Sequence, residues 1–132
     1  MRDAKFSLSD TLLMEIFNNG FESALQEYDD ILSNKAEEFD LREKELNNLG
    51  YMLMQSKLVK EAITIFGLNV KAYPESFNVY DSLGEAYLMD EQNDAALKNY
   101  KKSLALNPNP DKPEKPSNKK QITKLVPIIL SG

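Results

Sequence analysis

The feature that most constrains the fold is an internal repeat with a period of 34 residues. Leu49/Leu83, Gly50/Gly84, Ala62/Ala96 and Pro74/Pro108 are identical at that offset. Leu46/Tyr80, Leu53/Tyr87, Ile63/Leu97, Phe66/Tyr100 and Val70/Leu104 are apolar or aromatic at the same offset. A fixed period of this size is the signature of a stacked array in which each unit lends its neighbour the surface it cannot bury alone. Within each unit the apolar residues recur every three and four positions, which is helical spacing, and no period-two run competes with it. Each unit therefore reads as an antiparallel helical hairpin. Gly50 with Ala62, and Gly84 with Ala96, are the small residues that let its two helices approach, and larger residues three and four positions away fill the seam. Pro74 and Pro108 end the second helix of each pair.

Upstream, Phe21, Ala24, Leu25, Tyr28, Ile31 and Leu32 form another helical stripe behind Asn18-Asn19-Gly20, which stops the helix running from Ser9 to Phe17. Ala24 and Tyr28 precede Ala62 and Phe66 by 38 residues, one period plus four inserted residues. Residues 6–40 thus read as a degenerate hairpin, and three units reach the number at which arrays become stable. Ser9 is the expected N-cap of the first helix, with Leu8 and Leu13 as a hydrophobic staple. Asp40 and Glu43 have the spacing of a capping box, and Ser76 caps a later helix.

The two strings Leu46-x2-Leu49-Gly50-x2-Leu53…Ala62-x3-Phe66…Pro74 and Tyr80-x2-Leu83-Gly84-x2-Tyr87…Ala96-x3-Tyr100…Pro108 resemble tetratricopeptide (TPR) repeats. The resemblance covers residues 43–110, as repeats 43–76 and 77–110. It departs from the family at Leu46 and Tyr80, where Trp is common, and at Asn69 and Ser103, where Ala is preferred and the polar side chains are expected to weaken packing. Stretches such as Glu45–Tyr51 and Glu75–Tyr87 are also similar to repeat modules at the C-terminus of bacterial beta-lactamase-related serine hydrolases and esterases. In that reading the catalytic serine lies on another domain. The fold expected is all-α, a superhelical array of two clear repeats behind one degenerate hairpin, completed by a C-terminal capping helix or tail.

Composition removes most chemistry. The 132 residues include no Cys and no His, so thiolate nucleophiles, disulfides, imidazole bases and Cys/His metal sites are unavailable. No cofactor, metal or catalytic residue is expected, and the chain is read as a non-enzyme. A net charge of −5 disfavours nucleic acid and anionic membranes, and no stretch is long and apolar enough to span a bilayer. Met1–Ser7 has no signal-peptide run, which sets a cytoplasmic expectation; a periplasmic or secreted location follows if the chain is a fragment of an exported hydrolase.

Charge is unevenly spread: residues 1–40 hold 3 basic and 10 acidic side chains, residues 111–132 hold 5 and 2. Where residues 41–110 give way to residues 111–132, residues 107–117 contain four prolines and read as an extended linker. Residues 118–132 carry Ile122, Leu125, Val126 and Ile129 on one helical face, expected either to cap the array or to dock on a second molecule and so self-associate.

The resemblance to TPR repeats implies a concave face lined by the first helix of each hairpin, where a peptide or partner protein binds. Helical geometry assigns to it Lys44, Asn47, Asn48, Tyr51, Met54 and Gln55 from one helix, and Asn78, Asp81, Ser82, Glu85, Leu88 and Met89 from the next. Asn amides suit a peptide backbone, Tyr51 a rigid anchor, and the Met side chains a variable surface. A clamp for a terminal carboxylate is disfavoured, because Asp81 and Glu85 are acidic where Lys and Arg are needed; basic or neutral ligands fit better. Asp90–Asp94 lacks the Gly and distal Glu of a calcium loop and reads as the turn between paired helices. Asp29-Asp30 and Glu37-Glu38 read as solvated acidic surface. Gly67 interrupts a helix interior and calls either for a close neighbour or for no reason at all.

Overall fold

The computed structural model describes residues 4–107; Pro108, most of the linker and the C-terminal segment 118–132 lie outside the described residues. Six helices follow one another as three hairpins: α1 (Leu8–Asn19) with α2 (Phe21–Asn34), α3 (Glu43–Gln55) with α4 (Val59–Ala72), and α5 (Phe77–Met89) with α6 (Asn93–Leu106). The second and third hairpins are copies in register, since α3 and α5 begin 34 residues apart, as do α4 and α6. They share their turns as well. Leu53 and Met54 carbonyls accept from the Leu58 and Lys57 amides, Tyr87 and Leu88 carbonyls from Gln92 and Glu91, and Lys57 (φ 70°) and Glu91 (φ 61°) take the left-handed conformation. This doubly bonded C-terminal motif satisfies the last carbonyls of each helix. Asp90–Gln92 is thus a turn, and Asp90 accepts from Gln92 (2.7 Å) and Lys60 (3.0 Å), which together hold its carboxyl below the usual range.

The seam of each hairpin is a glycine facing an aromatic ring. A Cβ built on Gly50 would overlap the Phe66 ring, and one on Gly84 would come within 2.9 Å of the Tyr100 ring. Ala62 and Ala96, one turn earlier on the second helices, are fully buried beside these contacts. Gly67 is different: nothing described lies within 4 Å of a Cβ placed there. Gly67→Ala is therefore expected to stabilise the protein by about 0.5–1 kcal/mol through helix propensity alone, read as a rise in midpoint in urea titration with unchanged slope.

Asn69 and Ser103, where the repeat pattern favours Ala, each gain a hydrogen bond that Ala could not make. Both are buried, and each donates across its hairpin to the backbone carbonyl of the first residue of the preceding helix, Asn69 to Glu43 (3.0 Å) and Ser103 to Phe77 (2.8 Å). The pair is one hydrogen bond repeated at the 34-residue offset.

The N-terminal hairpin departs from the copies in ways the sequence did not announce. Gly20 alone joins α1 to α2, at φ 98°, a conformation only glycine adopts without strain. The connection from α2 to α3 spans residues 35–42, four more than the 73–76 connection between α4 and α5, which places the four inserted residues. The longer connection holds a 3-10 turn (Ala36–Glu38) and a two-residue strand β2 (Phe39–Asp40), paired in parallel with β1 (Phe6–Ser7), and the Phe6 and Phe39 rings sit 5.6 Å apart.

Three caps differ from expectation. Ser7, not Ser9, caps α1, its hydroxyl accepting from the Asp10 amide at 3.1 Å, so Leu8 lies within the helix and is a core residue rather than a staple. The Asp40/Glu43 box does not form. Asp40 is held by the Arg42 amide and guanidinium (3.1, 3.0 and 2.6 Å), which keep its carboxyl far below the usual range, and Glu43 turns to Ser76 (3.0 Å). Ser76 does begin α5, but its hydroxyl is spent on Glu43 rather than on a helix amide.

Candidate functional site: the face of the first helices

The first helices of the three hairpins, α1, α3 and α5, pack in sequence. Between α3 and α5 a polar network ties the two helices together. The Tyr51 hydroxyl donates to the Glu85 carboxylate, the Ser82 hydroxyl lies 3.1 Å from Tyr51, and Ser82 donates to the Asn47 amide oxygen at 2.7 Å. The Tyr51 ring stands edge-on to Phe66 with centroids 5.1 Å apart, so the seam of the hairpin fixes the orientation of its hydroxyl. At the start of the same helices Glu43 accepts from Ser76 and, at 3.5 Å, from Asn78.

Of the residues assigned to this face, Asn47, Tyr51, Ser82 and Glu85 are brought into direct contact. Lys44, Asn48, Gln55 and Met89 are exposed, and Asn78 and Leu88 are half-buried. Three sit deeper than an open face requires: Met54 belongs to the core, Ser82 is fully buried, and Asp81 is 4% exposed. Helical phase alone puts Met54 beside Gln55, but its side chain is part of the hydrophobic core.

A second part of the face lies between α1 and α3. A cleft of about 400 Å³ is lined by Ser7, Ser9 and Asp10 at the start of α1 and by Glu45, Asn48, Tyr51, Met52 and Gln55 from α3. Glu45 on α3 ties the two sides of this cleft together. One carboxylate oxygen of this buried side chain accepts from the Ser7 hydroxyl (2.8 Å) and from the Ser9 amide (2.9 Å), capping α1 from another helix. The signal was present: Glu45 occupies the register of Val79, a fully buried apolar position, and a carboxylate there demands donors.

The acidic pairs stay on the surface. Asp30 accepts from Asn34 (2.8 Å) and pairs with Lys35 (3.3 Å), and Glu37 and Glu38 are exposed. Among the described residues no three His, Cys, Asp or Glu side chains gather as a metal site, and no helix is long and apolar enough to cross a membrane.

The repeated hairpins, their 34-residue register and their ordered first helices define a TPR-type helical repeat fold. Comparison with solved structures agrees. The chain is similar to MamA AMB-1, with TM-score 0.58 and 18% identity over 92% of this chain, and to the MamA RS-1 ArsTM double mutant, with TM-score 0.50 and 20% identity over 94%. Both are TPR-like, and at these identities the likeness concerns fold alone. The chain spans 62% of the length of the first and 74% of the second. No family model matches the sequence, and no curated protein matches it.

Proposed function

We propose that this chain is a non-enzymatic protein-interaction module whose α1–α3–α5 face holds an extended peptide or a segment of a partner protein. The observation that carries this reading is the Asn47–Ser82–Tyr51–Glu85 network, which ties two successive first helices rigidly together beneath exposed Lys44, Asn48 and Gln55. Amides and hydroxyls fixed on rigid helices present donors and acceptors suited to peptide backbone at little entropic cost. The carboxylates favour a ligand with basic or neutral polar side chains.

The test uses exposed positions, so that folding is untouched. Asn48→Arg with Gln55→Arg should abolish capture of the partner by the immobilised protein, whereas Thr64→Arg, exposed on α4 away from this face, should leave it intact. Equal capture by both variants would refute the assignment.

A second reading rests on the resemblance of Glu45–Tyr51 and Glu75–Tyr87 to the modules of serine hydrolases: an accessory module that positions or pairs a catalytic domain, in an exported protein. A hydrolase reading frame fused to this one supports it.

A further inference from the structure

The cleft between the start of α1 and the body of α3 carries two carboxylates, Asp10 and Glu45, and no Lys or Arg lines it. Glu45 is 5% exposed, yet both of its hydrogen bonds fall on one oxygen, Oε1, which accepts from the Ser7 hydroxyl and the Ser9 amide. No hydrogen bond from the described residues reaches its other oxygen, Oε2. Ser9 adds a second vacancy of the same kind: it lines the cleft at 4% exposure, and its hydroxyl has no partner among the described residues. A buried carboxylate oxygen without a donor and a buried hydroxyl without a partner are both unfavourable, and a ligand bringing N–H groups and positive charge relieves both.

The sign of that ligand is set by what already stands there. The N-terminus of a helix by itself favours an anion, but at α1 Glu45 holds that place and Asp10 is exposed beside it, so a further negative group is repelled. The spread of the acceptors narrows the cation. They come from two helices, with Ser9 and Asp10 on α1 and Glu45 on α3, so a planar guanidinium with five donors can meet several of them at once. An ammonium gathers its three donors at one point and gives up its water less readily. Met52 supplies an apolar wall for an aliphatic stem, and about 400 Å³ admits one long side chain.

We infer that this cleft is an arginine-binding pocket, which takes the guanidinium of a bound segment onto Glu45 Oε2, the Ser9 hydroxyl and the Asp10 carboxylate. The inference rests on the peptide-binding reading of the face and gives that reading a sequence requirement.

A capped Ala-Arg-Ala tripeptide titrated into the isotope-labelled full chain should produce saturable amide shifts at Ser9, Asp10, Asn48 and Gln55. The same tripeptide with citrulline for arginine keeps the shape without the charge and should bind at least about tenfold more weakly. Asp10→Asn, at an exposed position, should weaken the arginine peptide several-fold while leaving the thermal midpoint unchanged, and Ser9→Ala should weaken it with no effect on the citrulline peptide. Equal binding of the two peptides, or shifts that do not saturate or that lie away from these residues, overturns the inference. Loss of partner capture in Asn48→Arg with Gln55→Arg, combined with no binding of the tripeptide, leaves the face standing and removes the pocket. Tripeptide binding combined with undiminished capture by those variants does the reverse, so the two readings fail separately.

Discussion

Gly50→Ala is expected to be the most damaging single methyl group that can be added to this protein. The new Cβ falls on the Phe66 ring, which is itself buried at 1% exposure and has Tyr51 packed on its edge, so the ring cannot swing aside. Overpacking of this kind costs about 1–3 kcal/mol and sometimes more, against about 1 kcal/mol returned by the better helix propensity of Ala. With an overlap this deep the cost falls at the upper end, and a net loss of about 2 kcal/mol should appear as a thermal midpoint lower by roughly 5–10 °C. Gly84→Ala should cost less, because its Cβ meets the Tyr100 ring at 2.9 Å rather than overlapping it. A cycle with Phe66→Leu separates this account from a generic loss of helix stability: adding Phe66→Leu should recover part of the Gly50→Ala defect. Simple addition of the two losses would show that the ring is not the cause.

Glu45→Ala should be comparably costly, by about 2 kcal/mol, for a different reason. It leaves the buried Ser9 amide and the Ser7 hydroxyl without their shared acceptor and removes a negative charge from the N-terminus of α1. In an array where each hairpin leans only on its neighbours, the damage should stay local. Amide exchange should accelerate through α1 and α2 while α5 and α6 keep their protection. Glu45→Gln, which preserves an acceptor oxygen, should fall between. Uniform acceleration across all six helices would contradict the role given to Glu45.

These two residues mark the boundary of what the sequence discloses. Gly50 and Phe66 were legible because a repeat states its contacts twice, and Gly84 and Tyr100 say the same thing 34 residues later. The face was legible for a related reason: helical phase brings Asn47, Tyr51, Ser82 and Glu85 to one side, and stacking joins them. What was not legible depends mostly on contacts made once, Asn69 and Ser103 being the repeated exception. The Asp40/Glu43 box has correct local spacing, but Arg42 and Ser76 offer both carboxylates better partners than a helix amide. Ser9 and Ser7 are equally good caps in isolation, and the choice between them is made by Glu45, 36 and 38 residues away. The paired strands β1 and β2 are two residues long, too short to leave any alternation of apolar and polar side chains. Asn69 and Ser103 look like departures from a packing rule until their acceptors are seen.

The central claim is that the first helices, and not the second, form the recognition surface. Amide chemical-shift mapping with a bound partner tests it most directly. Perturbations confined to α1, α3 and α5, strongest at Asn48, Tyr51 and Gln55, are the result expected. Perturbations centred on the exposed faces of α2, α4 and α6, with those residues unmoved, would contradict it.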